Sequence, residues 1–403
     1  MCSVDGPEPR TNGIRLAVGS LLDELRRSHD VRHIAYRQPD QLELRDDSET
    51  RFVDLPAPSV RGAAFMRATV RGRPWQADRL AAGLGEALRE ELEAFDPDVV
   101  HVNRWILASL GRQLAGLPTV LSAFDAWHLN VDASVVLAGA VRKRLLRAEA
   151  HRVRRFEAAE FAHFGRVVVV TEQDKAALEE LNPDLRVSVV PNGVDTRYFS
   201  KGDGATAVSG RVVFTGHMGY PPNIVAAEFL GKELLPRIRA ARPDAHLVIV
   251  GRHPDARVVA LARLPGIEVT GEVDDVRPWL RSAHVFVCPM LTGTGIKNKL
   301  LEAMSSELPC VVTPRALQGL DVVDGREVVV GETAEELSGH TLELMGDDAK
   351  ARRIGRSARE YVSVAHNWAS AAGAYVRLYE GVRARGDGGR PGRPLTVAAE
   401  RSA

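Results

Sequence analysis

Short apolar runs alternate with longer amphipathic stretches along almost the whole chain. In the first half, the runs that predict strands lie at residues 31–36, 98–102, 119–122, 166–171 and 187–190. Stretches with helical periodicity lie between them, notably at residues 14–27, 77–94 and 140–161. In the second half, strands are predicted at residues 211–215, 246–251, 267–270, 284–289 and 310–313, again with helices between them. This alternation is typical of α/β domains with parallel sheets.

A polar segment separates the two alternating patterns. The stretch PNGVDTRYFSKGDGATAVSG, residues 191–210, is rich in Gly, Asp, Ser and Thr, as linkers are. A chain of 403 residues is also too long for one ordinary hydrophobic core. We therefore predict two doubly wound, Rossmann-like domains that face each other across a cleft. The predicted bounds are 1–195 and 196–385, with the final helix returning to the N-terminal domain, and a disordered tail at 386–403.

The start of the chain departs from this pattern. A doubly wound domain normally opens with a buried strand that leads to a loop and a helix N-terminus. Here MCSV runs straight into DGPEPRTNG before the helix predicted from residue 14. We therefore expect the first strand to be missing or reduced to a stub, with either a true start upstream or a sheet that lacks most of its central strand.

Composition and apolar patterning limit the kinds of molecule that the protein could bind and the compartment in which it would work. Basic and acidic residues balance at 53 each, so no overall field favours nucleic acid. The three cysteines, Cys2, Cys288 and Cys310, have no metal-binding spacing, and the last two lie in apolar strand runs where a small buried residue is expected. No apolar run approaches the roughly 20 residues of a membrane helix. These features favour a cytoplasmic protein.

Two basic stretches could contact a membrane or an anionic acceptor. They cover residues 141–161 and 59–75. The first also carries an apolar stripe of Val141, Leu145, Val153 and Phe156. A helix that packs on a sheet is the simpler interpretation of that stripe, and peripheral membrane contact is the less favoured alternative.

The richest segment for chemistry is PMLTGTGIKNKLLEAMSSELPCVVTP, residues 289–314. After a strand, Gly293 and Gly295 allow a tight loop, and a helix is predicted to start near residue 296. Free backbone N–H groups and the positive helix end would suit a diphosphate. Lys297 and Lys299 would add charge in a first turn, where a lysine is unfavourable for the helix itself. The alternative is an ordinary strand–helix loop with solvated lysines.

Glu302 follows on the same predicted helix, three residues after Lys299. Its carboxylate could accept hydrogen bonds from both ribose hydroxyls of a nucleotide, as acidic residues do in nucleotide-binding folds. It could equally form an exposed Lys299–Glu302 helix pair worth a few tenths of a kcal/mol. The spacing alone does not separate these alternatives.

A family resemblance does separate them. GTGIKNKLLEAMSSELPCVVTP resembles the signature of the "group 1" family of retaining GT-B glycosyltransferases, similar to glycosyltransferase family 4. Four further segments resemble family elements in the family's order: VVVVTEQD, VVPNGVDTRYF, FTGHMGYPPN and VTGEVDDVRPWL. The likeness spans about residues 12–382. It implies the GT-B fold and transfer of a sugar from a UDP-, dTDP- or GDP-linked donor to an unidentified acceptor, with retention.

The resemblance also implies roles for individual residues. Gly216 would line the donor loop, and the Val273 backbone would contact the base. The loop from Gly293 to Gly295, with Lys297 and Lys299, would hold the diphosphate and sugar, and Glu302 would bind the ribose. In the acceptor domain, Gly13 would lie at a helix start facing the diphosphate. Asp125 and His128, in LSAFDAWH, would lie at a strand end near the reacting groups.

Two positions depart from the family pattern. Thr294 stands where the family commonly has a glutamate that contacts hydroxyls of the donor sugar. The donor loop GHMGYPPN also lacks the Arg and Lys that many members use for the diphosphate, so Lys297, Lys299 and Arg252 would have to supply that charge. Both departures concern the identity of the donor more than the class of reaction.

Three residues are catalytic candidates: Asp125, His128 and Lys297. A histidine after a strand is more often a hydrogen-bonded structural residue than a base, and both alternatives stay open for His128. The Asp-Pro-Asp sequence at residues 96–98 precedes a strand and predicts a turn rather than a metal site. We expect no metal and no cofactor, because backbone amides, a helix dipole and Lys297 could stabilise the leaving diphosphate.

Other functions remain open. A sugar-nucleotide epimerase could use the same fold, and so could a non-catalytic nucleotide-sugar-binding partner of another subunit. A nicotinamide-dependent oxidoreductase is disfavoured, because no G-x-G-x-x-G sequence follows an early strand with an acidic residue about 20 positions later.

Overall fold

The computed structural model describes residues 1–8, 13–55, 68, 70, 72–74, 77–136, 139–202 and 207–386. These residues form two compact units. One contains Met1–Pro191 together with the last helix, and the other contains Asn192–Asn367. The predicted tail begins within the last helix, and residues 387–403 lie outside the described residues.

The first unit is built on a seven-stranded parallel sheet. Its strands are β1 (Cys2–Ser3), β2 (His33–Arg37), β3 (Thr50–Asp54), β4 (Val100–Asn103), β5 (Thr119–Phe124), β6 (Arg166–Val169) and β7 (Val187–Val189). The strand order is β3-β2-β1-β4-β5-β6-β7. This order reverses direction between β1 and β4, as in doubly wound folds.

The first strand is present but short. β1 contains two residues and pairs with both central neighbours, Cys2 lying opposite Ile34 of β2 and Val102 of β4. It therefore occupies the central position of the sheet, where the sequence indicated a strand that is missing or reduced to a stub. Both of its residues are buried.

Among the described residues, six α-helices of this unit have their bounds defined. They are α1 (Gly13–Arg26), α2 (Ala77–Phe95), α3 (Trp127–Val136), α4 (Ala140–Glu160), α5 (Glu172–Leu181) and the last helix of the chain, α13 (Trp368–Gly386). Ala17, Leu21 and Leu25 of α1 share an apolar cluster with Tyr375 of α13 and with Val120 of the sheet. These contacts explain why the last helix belongs to the N-terminal unit.

The second unit repeats this plan on six parallel strands. They are β8 (Arg211–Thr215), β9 (His246–Val250), β10 (Ile267–Gly271), β11 (Val285–Cys288), β12 (Cys310–Val312) and β13 (Val329–Val330), in the order β10-β9-β8-β11-β12-β13. Its helices are α6 (Pro221–Phe229), α7 (Leu235–Ala241), α8 (Ala256–Leu261), α9 (Arg277–Arg281), α10 (Asn298–Ser305), α11 (Ala334–Gly346) and α12 (Asp348–Ala365). A five-residue π-helical segment joins α6 to α7.

The structure contains every strand that the hydrophobic pattern predicts, and it adds β3 and β13. Both added strands lie at sheet edges. β3 has the mixed sequence TRFVD and β13 has two residues, and short or polar edge strands lack the apolar run that marks a central strand. Cys288 and Cys310 are buried strand residues, as predicted.

Helix α4 differs from its sequence-based interpretation. Val153 and Phe156 of the predicted apolar stripe are buried in the core, as expected for a helix that packs on a sheet. Val141 and Leu145 of the same stripe are exposed. From Leu146 onward α4 therefore packs against the core, whereas Val141 and Leu145 in its first turns do not. The second basic stretch, residues 59–75, lies largely outside the described residues.

Candidate functional site

The carboxyl ends of β8, β9 and β11 meet at one edge of the second sheet, where parallel α/β folds bind ligands. β8 leads into Gly216 and β9 into Gly251. The Gly216 N–H donates to the Val250 carbonyl, and the Gly251 N–H donates to the Gly271 carbonyl, both at 3.0 Å. A helix begins shortly after β8 at Pro221, because two prolines occupy its first positions.

Gly251 allows two backbone segments to approach closely. Its φ is 153°, and a Cβ added at this position would lie 1.7 Å from the Gly216 carbonyl oxygen. No other residue type fits this position without moving the backbone. Gly251 therefore sets the position of the loop that carries Gly216.

The loop after β11 is also shaped by glycines. Gly293 and Gly295 have φ values of 100° and 71°, in the region that glycine adopts without strain. Helix α10 starts at Asn298, two residues later than predicted, so that Lys297 is its N-cap residue. The Lys297 ammonium is buried and donates to the carbonyls of Thr294 at 2.9 Å and Gly295 at 2.5 Å. These two hydrogen bonds from the buried Lys297 ammonium therefore stabilise the conformation of the loop.

Lys299 links this loop to the one after β8. Its ammonium donates to Oδ1 of Asn223, whose Nδ2 donates to the His217 carbonyl at 2.9 Å. It also lies 4.5 Å from the centroid of the Phe214 ring, a cation–π contact. Burial lowers the pKa of Lys299 to about 8, and the neighbouring Lys297 charge acts in the same direction. Lys299 and Asn223 thus fix the spacing of the two loops.

Gly216 is needed for this link. A Cβ at Gly216 would lie 2.8 Å from Asn223 Nδ2 and 2.9 Å from Lys299 Nζ. Its φ of 152° is likewise unfavourable for other residues. A side chain at position 216 would therefore displace the two groups that join the loops.

Glu302 lies on α10 one turn beyond Lys299 and is half-buried. The Lys299–Glu302 helix pair considered from the sequence does not form. Among the described residues, the Glu302 carboxylate has no ion pair within 4.0 Å and accepts no hydrogen bond. Burial raises the pKa of Glu302 to about 7, while the positive charge of Lys299 opposes the shift. A partly desolvated carboxylate without a protein partner has the hydrogen-bonding capacity to accept hydroxyl groups of a ligand.

This raised pKa predicts a pH-dependent affinity for nucleotide. The ionised Glu302 carboxylate accepts both hydroxyl hydrogens in charge-assisted bonds, whereas the protonated group is uncharged and carries an O–H donor on one oxygen. With a pKa of about 7, its ionised fraction falls roughly tenfold between pH 8 and pH 6. We expect the affinity for a nucleoside diphosphate to fall by a similar factor when measured by calorimetry. The variant Glu302→Gln should lack this component, so an equal pH dependence in parent and variant would contradict the prediction.

Two threonine hydroxyls lie in the same loop. The Oγ1 atoms of Thr292 and Thr294 are buried, and among the described residues neither has a hydrogen-bond partner. A buried hydroxyl without a partner costs free energy, so a ligand that hydrogen-bonds to it would recover part of that cost. Thr294 is therefore available at the position where the sequence comparison indicated a sugar contact.

Further basic groups lie on the loops after β8 and β9. The His217 and His253 rings lie 5.5 Å apart between centroids. Burial, Arg252 and His253 together lower the pKa of His217. Val273 lies two residues beyond Gly271, the last residue of β10, and is half-buried. All predicted donor-site residues of this unit thus lie in the loops after β8, β10 and β11 or in α10. They are Gly216, Val273, Gly293, Thr294, Gly295, Lys297, Lys299 and Glu302.

In the first unit, Asp125 follows β5 and belongs to a charged cluster that the sequence did not reveal. Arg104 follows β4 and lies 3.5 Å from Asp5, measured from guanidinium nitrogen to carboxylate oxygen. Burial lowers the pKa of Arg104, while Asp5 and Asp125 raise it. Arg104 and Phe124 have φ values of 82° and 69°. Such backbone strain is concentrated at functional sites.

His128 is buried and makes a short hydrogen bond through Nδ1 to Glu157 Oε2, at 2.6 Å. The other carboxylate oxygen of Glu157 accepts the Trp127 N–H, also at 2.6 Å. Burial raises the pKa of Glu157, and His128 opposes this shift. A carboxylate that binds Nδ1 orients the ring and leaves Nε2 available as an acceptor. This geometry accommodates both a structural and a catalytic role.

Two further predictions concern Gly13 and metals. Gly13 is the exposed first residue of α1, and residues 9–12 before it lie outside the described residues. Within the part of the chain that the structure describes, no group of three His, Cys, Asp or Glu side chains is placed to hold a metal ion. Across the same residues, no helix is both long enough and apolar enough to cross a membrane.

Comparison with known proteins finds a matching protein family for each half of the chain. Residues 209–347 match the family described as "Glycosyl transferases group 1", and residues 11–198 match the one described as "Glycosyltransferase Family 4". Both halves of the chain thus match glycosyltransferase families, and each forms a parallel-sheet, Rossmann-like unit. No curated protein sequence matches this chain.

Solved structures agree with the GT-B fold. Sucrose-phosphate synthase from Thermosynechococcus elongatus matches with a TM-score of 0.72 and 17% identity, over 95% of this chain and 99% of that one. HepE from Anabaena, crystallised with UDP and glucose, matches with a TM-score of 0.67 and 13% identity, over 94% and 98%. WaaG, a glycosyltransferase of lipopolysaccharide biosynthesis, matches with a TM-score of 0.62 and 14% identity, over 96% and 99%.

Sequence inspection missed several residues that lie beside the candidate site residues. Asn223 lies on α6, and Arg104 and Asp5 follow β4 and β1, so their contacts join segments that follow different strands. Glu157 lies 29 residues from His128, on another helix. The only available signal was the position of Arg104 and Asp5 directly after predicted or expected strands.

Proposed function

We propose that this protein transfers a sugar from a nucleotide-diphospho-sugar to an acceptor, with retention at the anomeric carbon. One observation carries the proposal: two glycine loops at the carboxyl ends of β8 and β11 are joined through Lys299 and Asn223, next to the Glu302 carboxylate, which has no partner among the described residues. Anabaena HepE, of similar fold, has been crystallised with UDP and glucose. A UDP-, dTDP- or GDP-linked sugar is therefore the proposed donor.

The donor would lie along the second unit. The diphosphate fits the loop of Gly293 and Gly295 at the N-terminus of α10, where backbone N–H groups and the helix dipole favour an anion. Glu302 would accept the ribose hydroxyls, and the Val273 backbone would contact the base. Lys297 and Lys299 would supply positive charge near the diphosphate. The family resemblance also proposes Gly13 as a donor-binding residue.

In the reaction, the C1–O bond to the diphosphate breaks and the nucleoside diphosphate leaves with the electron pair. The acceptor oxygen forms the new bond to C1 from the same face, and its proton passes to a base or to the leaving phosphate. Fixed dipoles and lysines that stabilise the developing negative charge would supply most of the catalysis. His128, oriented by Glu157, and Asp125 are the candidates for contact with the reacting groups.

A screen of donors with and without acceptors tests this function. A donor at about 100 times its dissociation constant raises the free energy of unfolding by about 2.7 kcal/mol, so thermal shift identifies the base and the sugar. Released nucleoside diphosphate is then measured with candidate acceptors. Release that depends on acceptor is expected. Donor binding without release in any acceptor pool would instead indicate a binding subunit, and sugar isomerisation without acceptor would indicate an epimerase.

Thr294 is expected to tune the choice of sugar. It offers one hydroxyl where similar proteins offer a carboxylate, so we expect Thr294→Ala to alter the relative affinity for different donor sugars. The affinity for free nucleoside diphosphate should change less than about twofold, since this hydroxyl is assigned to the sugar. Calorimetry with nucleotide and with intact donors separates the two effects. A uniform loss for all of these ligands would place Thr294 at the diphosphate.

We also expect transfer without a metal ion. The described loops provide lysines and backbone dipoles for the leaving group, so activity after exhaustive chelation should stay within about twofold of the untreated value. Activity that collapses and returns with magnesium or manganese would show that a metal performs this role.

A further inference from the structure

The hairpin of α3 and α4 is anchored at one end only. In α4, Ala150, Val153 and Phe156 are buried in the core of the first unit. Towards the N-terminus of the same helix, Val141 is 79% exposed and Leu145 is 55% exposed. These two residues are four positions apart and therefore lie on the same helix face. The first two turns of α4 thus present an apolar face to solvent.

Basic side chains flank this face: Arg142 and Arg144 lie about 80° to either side of it around the helix axis. Arg142, Lys143, Arg144 and Arg147 lie in the same turns, and no acidic residue occurs between residues 133 and 148. None of these four side chains forms an ion pair with a described residue, so their charges are not neutralised there. The nearest acidic residues in the sequence are already engaged, Asp132 with Arg154 and Glu149 with Arg152.

We propose that this surface, residues 140–147 of α4, docks onto an anionic lipid bilayer. An amphipathic helix with apolar residues on one face and Arg or Lys beside them lies in the interface of a membrane, with its apolar side chains among the acyl chains. Each basic residue near an anionic surface adds roughly a fivefold gain in affinity. The unpaired positive charge selects anionic lipids over zwitterionic ones.

A bilayer fits this surface better than other polyanions do. Val141 and Leu145 lie beside the charges and are 79% and 55% exposed, so a soft apolar phase can bury both of them. A nucleic acid would use the arginines but would leave these aliphatic side chains in water. The anchored half of α4 keeps the helix formed in the absence of lipid, so docking would require no folding step.

Co-sedimentation of the full-length protein with vesicles tests the proposal. Vesicles contain either phosphatidylcholine alone or phosphatidylcholine with about one third phosphatidylglycerol. We expect binding to the anionic vesicles only. The double variant Arg142→Gln/Arg144→Gln should lose about 30-fold in affinity, from two charges at roughly fivefold each. The double variant Val141→Ser/Leu145→Ser should lose at least tenfold, because two exposed aliphatic groups no longer enter the acyl region.

Matched controls lie on α12, in the other unit. Val364 is 74% exposed there, and Arg352 and Arg356 are exposed basic residues of the same helix. Val364→Ser and Arg352→Gln/Arg356→Gln should bind anionic vesicles like the parent. All substituted positions are exposed, and an unchanged unfolding temperature verifies that each variant is folded.

Three outcomes would overturn the proposal. The first is a parent that does not bind anionic vesicles at low salt. The second is a loss of binding that is equal for the α4 and the α12 charge variants, which would indicate a general charge effect. The third is binding to single-stranded DNA or heparin as tight as to vesicles, with no effect of Val141→Ser/Leu145→Ser, which would indicate a polyanion site.

Discussion

The variant Glu302→Ala is expected to lose on the order of 100-fold or more in affinity for the nucleotide. The Glu302 carboxylate has no partner among the described residues, and its pKa is raised to about 7 by burial. Two hydroxyls of a ribose would satisfy it through charge-assisted hydrogen bonds, each worth roughly 1.5–3 kcal/mol. The loss should be equal for free nucleotide and for the nucleotide-sugar, because both carry the ribose. Calorimetry with both ligands measures it.

Glu302→Gln is the matched variant for this experiment. It keeps the shape of the side chain and one acceptor oxygen but removes the charge, so its affinity should lie between those of the parent and Glu302→Ala. Neither variant should lower the unfolding temperature by much, since the carboxylate makes no contact that the fold requires. If Glu302→Ala binds nucleotide as tightly as the parent does, the ribose lies elsewhere and the proposed donor position is wrong.

The variant Gly251→Ala is expected to lose about 3–5 kcal/mol of unfolding free energy, because backbone strain is added to overpacking. The new methyl group would lie 1.7 Å from the Gly216 carbonyl oxygen, in a backbone conformation with a φ of 153°. The ends of β8 and β9 must therefore move apart. Since the Gly216 loop carries His217, whose carbonyl accepts from Asn223, donor affinity should fall together with stability. Urea denaturation and calorimetry measure the two effects.

Gly271→Ala is the control for backbone strain alone. Gly271 has a φ of 72°, but a Cβ added there would have no atom within 4 Å. Its substitution should therefore cost only about 1–2 kcal/mol, the penalty for a left-handed conformation. Equal destabilisation by the two variants would mean that the close approach of Gly251 to Gly216 has no energetic consequence.

Much of the fold was predictable because its central strands are buried on both faces. Runs such as VVFT before Gly216 and VFVC before Pro289 are apolar without alternation, as parallel sheets require. The edge strands β3 and β13 were not predictable, because one side of an edge strand faces solvent and its sequence carries no such run. The α4 stripe was misleading because helical periodicity shows which face is apolar but not how much of that face is covered.

The candidate donor site was predictable as a segment but not as a set of contacts. Gly293, Gly295 and Glu302 are recognisable because a glycine loop and a helix follow a strand within fourteen residues of one another. The acceptors to which the two lysine side chains donate were not predictable. Lys297 turns back to the loop carbonyls and Lys299 reaches Asn223, because the nearest acceptors come from groups whose positions depend on the folded loops.

The sequence by itself determined the fold class, the order of the central strands along the chain and the position of the glycine loop proposed to bind a diphosphate. These features depend on local periodicity and on glycine and proline at fixed positions. Only the tertiary structure decided the contact of Gly251 with Gly216, the bond from Glu157 to His128 and the grouping of Asp5, Arg104 and Asp125. Each of these joins residues far apart in the chain, and such contacts form only when the sheet order brings the ends of non-consecutive strands together.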